Sequence, residues 1–292
     1  MSHQAKDNLV LGDSLSVALT SGSCITSVTS LCAYKSRVLA PVFFCTHWAL
    51  KPWSKARNMC MDIIGGREAM PHSRPYMVFI RTAERGICGG TLITSNWVLT
   101  AAHCSVSNAK VILGAHSIRN YEVEKQRRAV LHAFPHELYN ANTFDYDIQL
   151  LQLTENAQLG KYVNVLPLPK KEKFPKPGSV CETAGWGYTS NIYNKLSDKL
   201  MEVNVTVMKR RACANIWQLK GQESKNITRN MICTKEKTNK GTCGGDSGGP
   251  LICNGTVRGV ASFGDFECGV PGDASVYSYL NRHIKSWIKK KI

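Results

Sequence analysis

From Ile63 onward the chain is predicted to be all-β, built from closed barrels and ended by one α-helix. Short β-branched or aromatic runs recur, each bounded by Gly, Asn or a charged residue, at 76–80, 90–93, 97–100, 111–114, 147–151, 180–184, 200–205, 251–253 and 257–260. Many short strands with little helix favour barrels, whose closure leaves no exposed strand edge. The C-terminus has a different texture. Leu280, Ile284, Trp287, Ile288 and Ile292 recur at helical spacing with lysines on the other face, so a helix packed on the second barrel is expected there.

Bulk properties narrow the function. At 292 residues, 43% of them hydrophobic, the chain can fill the core of one large domain or two small ones. No run approaches the eighteen or so apolar residues that a transmembrane helix needs. Twelve cysteines point to an oxidising compartment. Three glycan-acceptor tripeptides, starting at Asn204, Asn226 and Asn254, agree with secretion. The net charge is +16, from 37 basic and 21 acidic residues. Residues 1–62 hold six of the basic and three of the acidic ones, so the remainder carries 31 against 18, or +13. Such a field attracts polyanions, sulfated glycans in particular, with Lys289, Lys290 and Lys291 as candidate contacts. Nucleic acid is not expected, because no basic helix interleaved with stacking aromatics occurs.

The chemistry centres on Gly241-Thr242-Cys243-Gly244-Gly245-Asp246-Ser247-Gly248-Gly249-Pro250. Glycines around Ser247 let the backbone turn sharply and approach a substrate. Such a turn can aim the Gly245 and Ser247 amides at a developing oxyanion. A serine hydroxyl is a weak nucleophile, so a histidine base and an orienting carboxylate are required. Thr100-Ala101-Ala102-His103-Cys104 supplies the histidine, and Asp145-Tyr146-Asp147 supplies the acid. The order His, Asp, Ser is that of the chymotrypsin template. Asp147 is preferred to Asp145, because the apolar run from Ile148 to Leu151 follows it directly.

These motifs, with Ile63-Ile64-Gly65-Gly66, Pro71-His72-Ser73-Arg74-Pro75-Tyr76-Met77, Cys88-Gly89-Gly90 and Ala184-Gly185-Trp186-Gly187, resemble the chymotrypsin-like serine peptidases, and among them the granzyme A and K group. The resemblance implies two six-stranded antiparallel barrels with a cleft between them. It implies a catalytic triad of His103, Asp147 and Ser247 and an acyl-enzyme mechanism without metal or cofactor. Disulfides Cys88–Cys104, Cys181–Cys253, Cys213–Cys233 and Cys243–Cys268 follow from it as well. So does an activation pair, in which the α-amine of Ile63, freed by cleavage, meets Asp246. Peptide or protein substrates, serpin-type inhibitors and storage in secretory granules are also implied. Residues 1–62 are expected to be a leader or pro-region, poorly ordered or mis-assigned, ahead of a peptidase domain over 63–292. Met61-Asp62 would be the dipeptide trimmed on activation.

The specificity pocket departs from that group. Its floor falls on Gly241 and Thr242, where granzymes A and K carry an aspartate, and its opposite wall on Ser275. Ser262, Phe263 and Gly264 would hold the substrate backbone and line the entrance. Asp273 is a source of negative charge if its loop shifts, and Lys240 a source of positive charge. The simplest expectation is an uncharged pocket for large hydrophobic or aromatic residues. The competing class is a non-catalytic, cationic, glycan-binding relative, and the presence of all three triad residues favours the enzyme.

Overall fold

The computed structural model describes residues 66–82, 86–189, 196–222, 225–235, 243–265 and 272–292. In chain order these residues form β1 (Arg67–Glu68), β2 (Met77–Arg81), β3 (Ile87–Thr94), β4 (Trp97–Thr100), β5 (Lys110–Leu113), β6 (Gln126–Pro135) and β7 (Gln149–Leu153). There follow β8 (Val180–Gly185), β9 (Met201–Val207), α1 (Arg210–Leu219), β10 (Met231–Lys235), β11 (Pro250–Cys253), β12 (Thr256–Phe263), β13 (Ala274–Tyr279) and α2 (Arg282–Lys291). Residues 1–62, including the expected leader and its Met61-Asp62 end, lie outside the described residues.

The strands close into two antiparallel barrels. The first is a ring in the order β2-β3-β4-β7-β6-β5. The second runs β9-β10-β13-β12-β11-β8 and closes through pairing of β8 with β9, while β1 adds to the outer edge of β9. The segment around Pro167–Lys171 lies on the connection between β7 and β8, hence between the barrels.

Strand β2 shows how the barrels dock. Val78 and Ile80 fill the first barrel with Leu92, Val98, Leu99, Leu113 and Leu150. Alternation along the strand sends Met77 and Phe79 to the other face. There they join Ala184, Trp186 and Leu200 of the second barrel's end, with the Phe79 and Trp186 rings edge-to-face at 5.6 Å. A strand buried on both faces reads as a continuous apolar run, and Met-Val-Phe-Ile is one.

All nine predicted runs are strands, with ends shifted by a residue or two, and Asp147 and Ile148 stand just ahead of β7. The pattern missed β1, β10 and β13, and also β6, whose outward-facing Arg, His and Leu side chains mask its alternation. It also missed α1, which buries just Cys213 and Trp217, one turn apart. Helix α2 starts where Asn281 accepts a hydrogen bond from the Ile284 amide, and its last turn carries Lys289, Lys290 and Lys291 where the helix dipole favours cations. Its packing corrects the expectation. Ile284, Trp287 and Ile288 share the first barrel's core cluster, Trp287 lies 4.8 Å from the His136 ring, and Lys291 pairs with Glu137 at 3.2 Å. The helix therefore rests on the first barrel as well as the second.

Candidate active site

The predicted catalytic residues come from both barrels and meet at their junction. His103 lies in the turn after β4, and the disulfide from Cys104 to Cys88 on β3 fixes that turn. Asp147 precedes β7 and is wholly buried. Its Oδ2 accepts from His103 Nδ1 at 2.7 Å and from the Ser262 hydroxyl at 2.5 Å, and its Oδ1 accepts from the His103 backbone amide at 2.9 Å. Burying a carboxylate without such donors would cost several kcal/mol. With them, the ring is held in the tautomer that leaves Nε2 toward the cleft. Asp145 does not reach the histidine. Its carboxylate accepts instead from Thr228 Oγ1 at 2.8 Å and Asn230 Nδ2 at 3.1 Å.

Ser247 lies in the turn before β11. Its carbonyl accepts from the Gly89 amide at 2.7 Å and lies 3.9 Å from Cys104 Sγ, the neighbour of His103. On the other side, the Gly248 amide donates to the Ala261 carbonyl at 2.8 Å, next to Ser262. The turn thus stitches the serine to the histidine loop of one barrel and to β12 of the other. It needs glycine at Gly245 (φ 96°) and Gly248 (φ 83°), in a region closed to other residues. At Gly248 a Cβ would also collide with Thr100 and the Gly89 carbonyl.

Asp246, next to the serine, is buried in a different setting. Its two oxygens accept from the Gly187 amide at 2.8 Å and the Cys243 amide at 2.9 Å. A Cβ on Gly187 would come within 2.6 Å of the carboxylate carbon, so the Ala-Gly-Trp-Gly motif exists to make room for this side chain. Burial pushes its carboxyl up to about 6, against the pull of the two amides.

Along the cleft wall, Ser262 and Phe263 close β12, and Gly264 follows exposed. Ser275, buried on β13, faces Gly264 from across the pocket, its hydroxyl 3.8 Å from where a Gly264 Cβ would be. Asp273 is held by Lys220 at 2.5 Å, and the same ammonium pairs with Asp265. Three further wall residues escaped the sequence reading. Phe144 lies 5.7 Å from the His103 ring and 5.5 Å from Phe263, which Trp217 of α1 meets edge-on at 5.2 Å. Lys225 caps the Phe144 ring. Burial lowers its pKa, while the charge of Asp147 acts the other way. No local pattern marks these three, since tertiary contact alone brings them together beside His103.

Cys181–Cys253 and Cys213–Cys233 are disulfides, the second tying α1 to β10. Cys243 is disulfide-bonded as well. Its expected partner Cys268, together with Ile63, Lys240, Gly241 and Thr242, lies outside the described residues. Asn204, Asn226 and Asn254 are all exposed. Among the described residues no helix is long and apolar enough to cross a membrane.

Two barrels with a His-Asp pair and a glycine-bound serine at their seam define a class of serine peptidase. The Trypsin family matches residues 63–288, and the chain belongs to that family, within its chymotrypsin-like, granzyme-related group. Granzyme A of Bos taurus is 42% identical over 235 residues, covering 80% of this chain and 89% of that protein. Granzyme B(G,H) of Mus musculus is 41% identical over 241 residues, covering 80% and 93%. Among solved structures, neuropsin, a serine protease expressed in the limbic system of mouse brain, matches with a TM-score of 0.70 at 34% identity, covering 77% of this chain and 98% of its own. The chain is a serine-type endopeptidase.

Proposed function

We propose that Ser247 is the nucleophile, His103 the general base and Asp147 its orienting carboxylate, in an endopeptidase that cuts after large hydrophobic or aromatic residues. The observation that carries this reading is the His103–Asp147–Ser262 hydrogen-bond network facing the Ser247 turn. Ser247 Oγ attacks the scissile carbonyl and passes its proton to His103 Nε2. The Gly245 and Ser247 amides receive the oxyanion. His103 then returns the proton to the departing amine, leaving an acyl-serine. Water repeats the sequence and frees the acid. Asp147 stays ionised throughout and stabilises the transient imidazolium.

Specificity follows from the pocket chemistry. Gly241 and Thr242 bring no carboxylate to the floor, and the Lys220 contact occupies Asp273. A substrate arginine or lysine would enter without a counter-charge, which is heavily penalised. Activation is proposed to proceed by removal of residues 1–62, Met61-Asp62 last, so that the Ile63 amine pairs with Asp246. Secretion or granule storage, sulfated glycosaminoglycan or proteoglycan partners and serpin-type inhibitors complete the reading. A peptide library on protein starting at Ile63 tests it. Phe, Tyr, Leu or Met should dominate before the cut, with cleavage abolished in Ser247→Ala. A dominant preference for Arg or Lys would refute the neutral pocket.

A further inference from the structure

Next to the candidate base the cleft wall is aromatic, and a cation rests on it. Lys225 Nζ lies 3.6 Å from the Phe144 ring centroid and 5.5 Å from that of Phe263. Ring faces attract an ammonium but do not neutralise its charge. Its polar contact is the Asn142 carbonyl at 3.5 Å, and among the described residues no carboxylate pairs with it.

The arrangement is built rather than incidental. Asp145 anchors the Phe144 loop to Thr228 and Asn230, a few residues beyond Lys225, so ring and cation are clamped together. Asn140 Oδ1 accepts from the amides of Asn142 and Thr143 and shapes the same loop. Phe144 itself has φ 59°, a conformation unfavourable for a non-glycine residue that persists because these bonds over-determine the loop.

We infer that Lys225 is a specificity-determining residue, which selects substrates carrying Asp or Glu about two to four residues before the cut, at ~3.3 Å of rise per extended residue. This rests on the catalytic reading of His103, Asp147 and Ser247. An extended substrate with its scissile carbonyl at Ser247 that followed β12 along Ser262–Phe263 would come beside Phe144, 5.5 Å from the Phe263 ring, and within reach of Lys225, 5.5 Å from the same ring. A carboxylate arriving there meets a part-desolvated ammonium and forms a charge-assisted bond, whereas a substrate lysine is repelled.

The test uses processed enzyme starting at Ile63 and peptides identical except for Glu, Gln or Lys at the second, third or fourth position before the cut. At one of these positions kcat/KM should favour Glu over Lys by about 5- to 10-fold at low ionic strength, the factor shrinking as salt is added. Lys225→Arg should keep the ratio, Lys225→Met should bring it near one, and Lys225→Glu should invert it. Each ratio is taken within one enzyme preparation, so a change in overall activity does not imitate the effect. A wild-type ratio near one, or a ratio unmoved by Lys225→Glu, would overturn the inference, and the wild-type result stands even if a variant fails to fold. Labelling by a serine-directed phosphonate separates the two failures. Labelled, active enzyme without charge preference removes the Lys225 role alone, whereas neither labelling nor cleavage removes the catalytic reading with it.

Discussion

Asp147 and Asp246 are both shut away from solvent, at 0% and 2% exposure, yet they are buried among different partners. Asp147 receives three donors, one from a ring able to carry positive charge and one from a serine hydroxyl. Asp246 receives two backbone amides and no cation among the described residues, and its carboxyl is pushed up to about 6. The two sites differ in what surrounds a buried carboxylate: a ring and a hydroxyl at one, backbone amides alone at the other. Asp147 is complete in the chain as it stands. Asp246 is the carboxylate that the Ile63 amine would meet in the activation proposed above.

Breaking the first half of that comparison has the largest expected effect. Asp147→Asn should lower kcat by about three to four orders of magnitude, since an amide cannot hold the same tautomer or stabilise the imidazolium. Single-turnover acylation should show the loss with the fold intact by circular dichroism. The second half appears as pH-dependent stability of unprocessed protein. The unfolded carboxyl ionises near 3.8 and the folded one at about 6. Between these values the native state holds the extra proton, so stability falls as pH rises from about 4 to about 6 and then levels off. The shift of roughly two units corresponds to about 3 kcal/mol. Urea unfolding across pH 4–7 should show this slope, Asp246→Asn should flatten it, and processing to Ile63 should abolish it. A precursor equally stable at pH 4 and pH 7 would remove the case for an unmet charge.

Smaller effects sharpen the contrast. Ser262→Ala removes one of three donors to Asp147 and should cost about 10-fold in kcat/KM, within the 1–3 kcal/mol expected for a buried acceptor losing a partner. Lys220→Ala releases Asp265 and Asp273 beside the pocket, and should raise cleavage after Arg or Lys a few-fold relative to Phe. The same peptide library measures it, and an unchanged ratio would show that Asp273 has no influence on the pocket.

Both carboxylates stood out in the sequence because their setting is written locally: one precedes an apolar strand, the other the glycine-flanked Ser247. Strands with β-branched cores were legible for a similar reason. Strand β6 was not, because its outer face is charged and partner strands alone fix its register. Phe144 and Lys225 were invisible for a further reason. They are about 80 residues apart in sequence, and their contact depends on Asp145, which the sequence offered as a rival catalytic acid. Its real partners, Thr228 and Asn230, come from the other barrel's half of the chain.

The edge-to-face contact of Phe79 and Trp186 has a bearing on how such a molecule fails. His103 and Asp147 belong to one barrel and Ser247 and Ser262 to the other, so the proposed catalytic residues sit on both sides of a seam. On the proposed mechanism, a shift of one barrel against the other by a fraction of an ångström would be felt by the chemistry before it was felt by the fold. Turnover is then a finer gauge of barrel alignment than melting temperature. Damage at the seam would first yield a protein that looks native and has already stopped cutting.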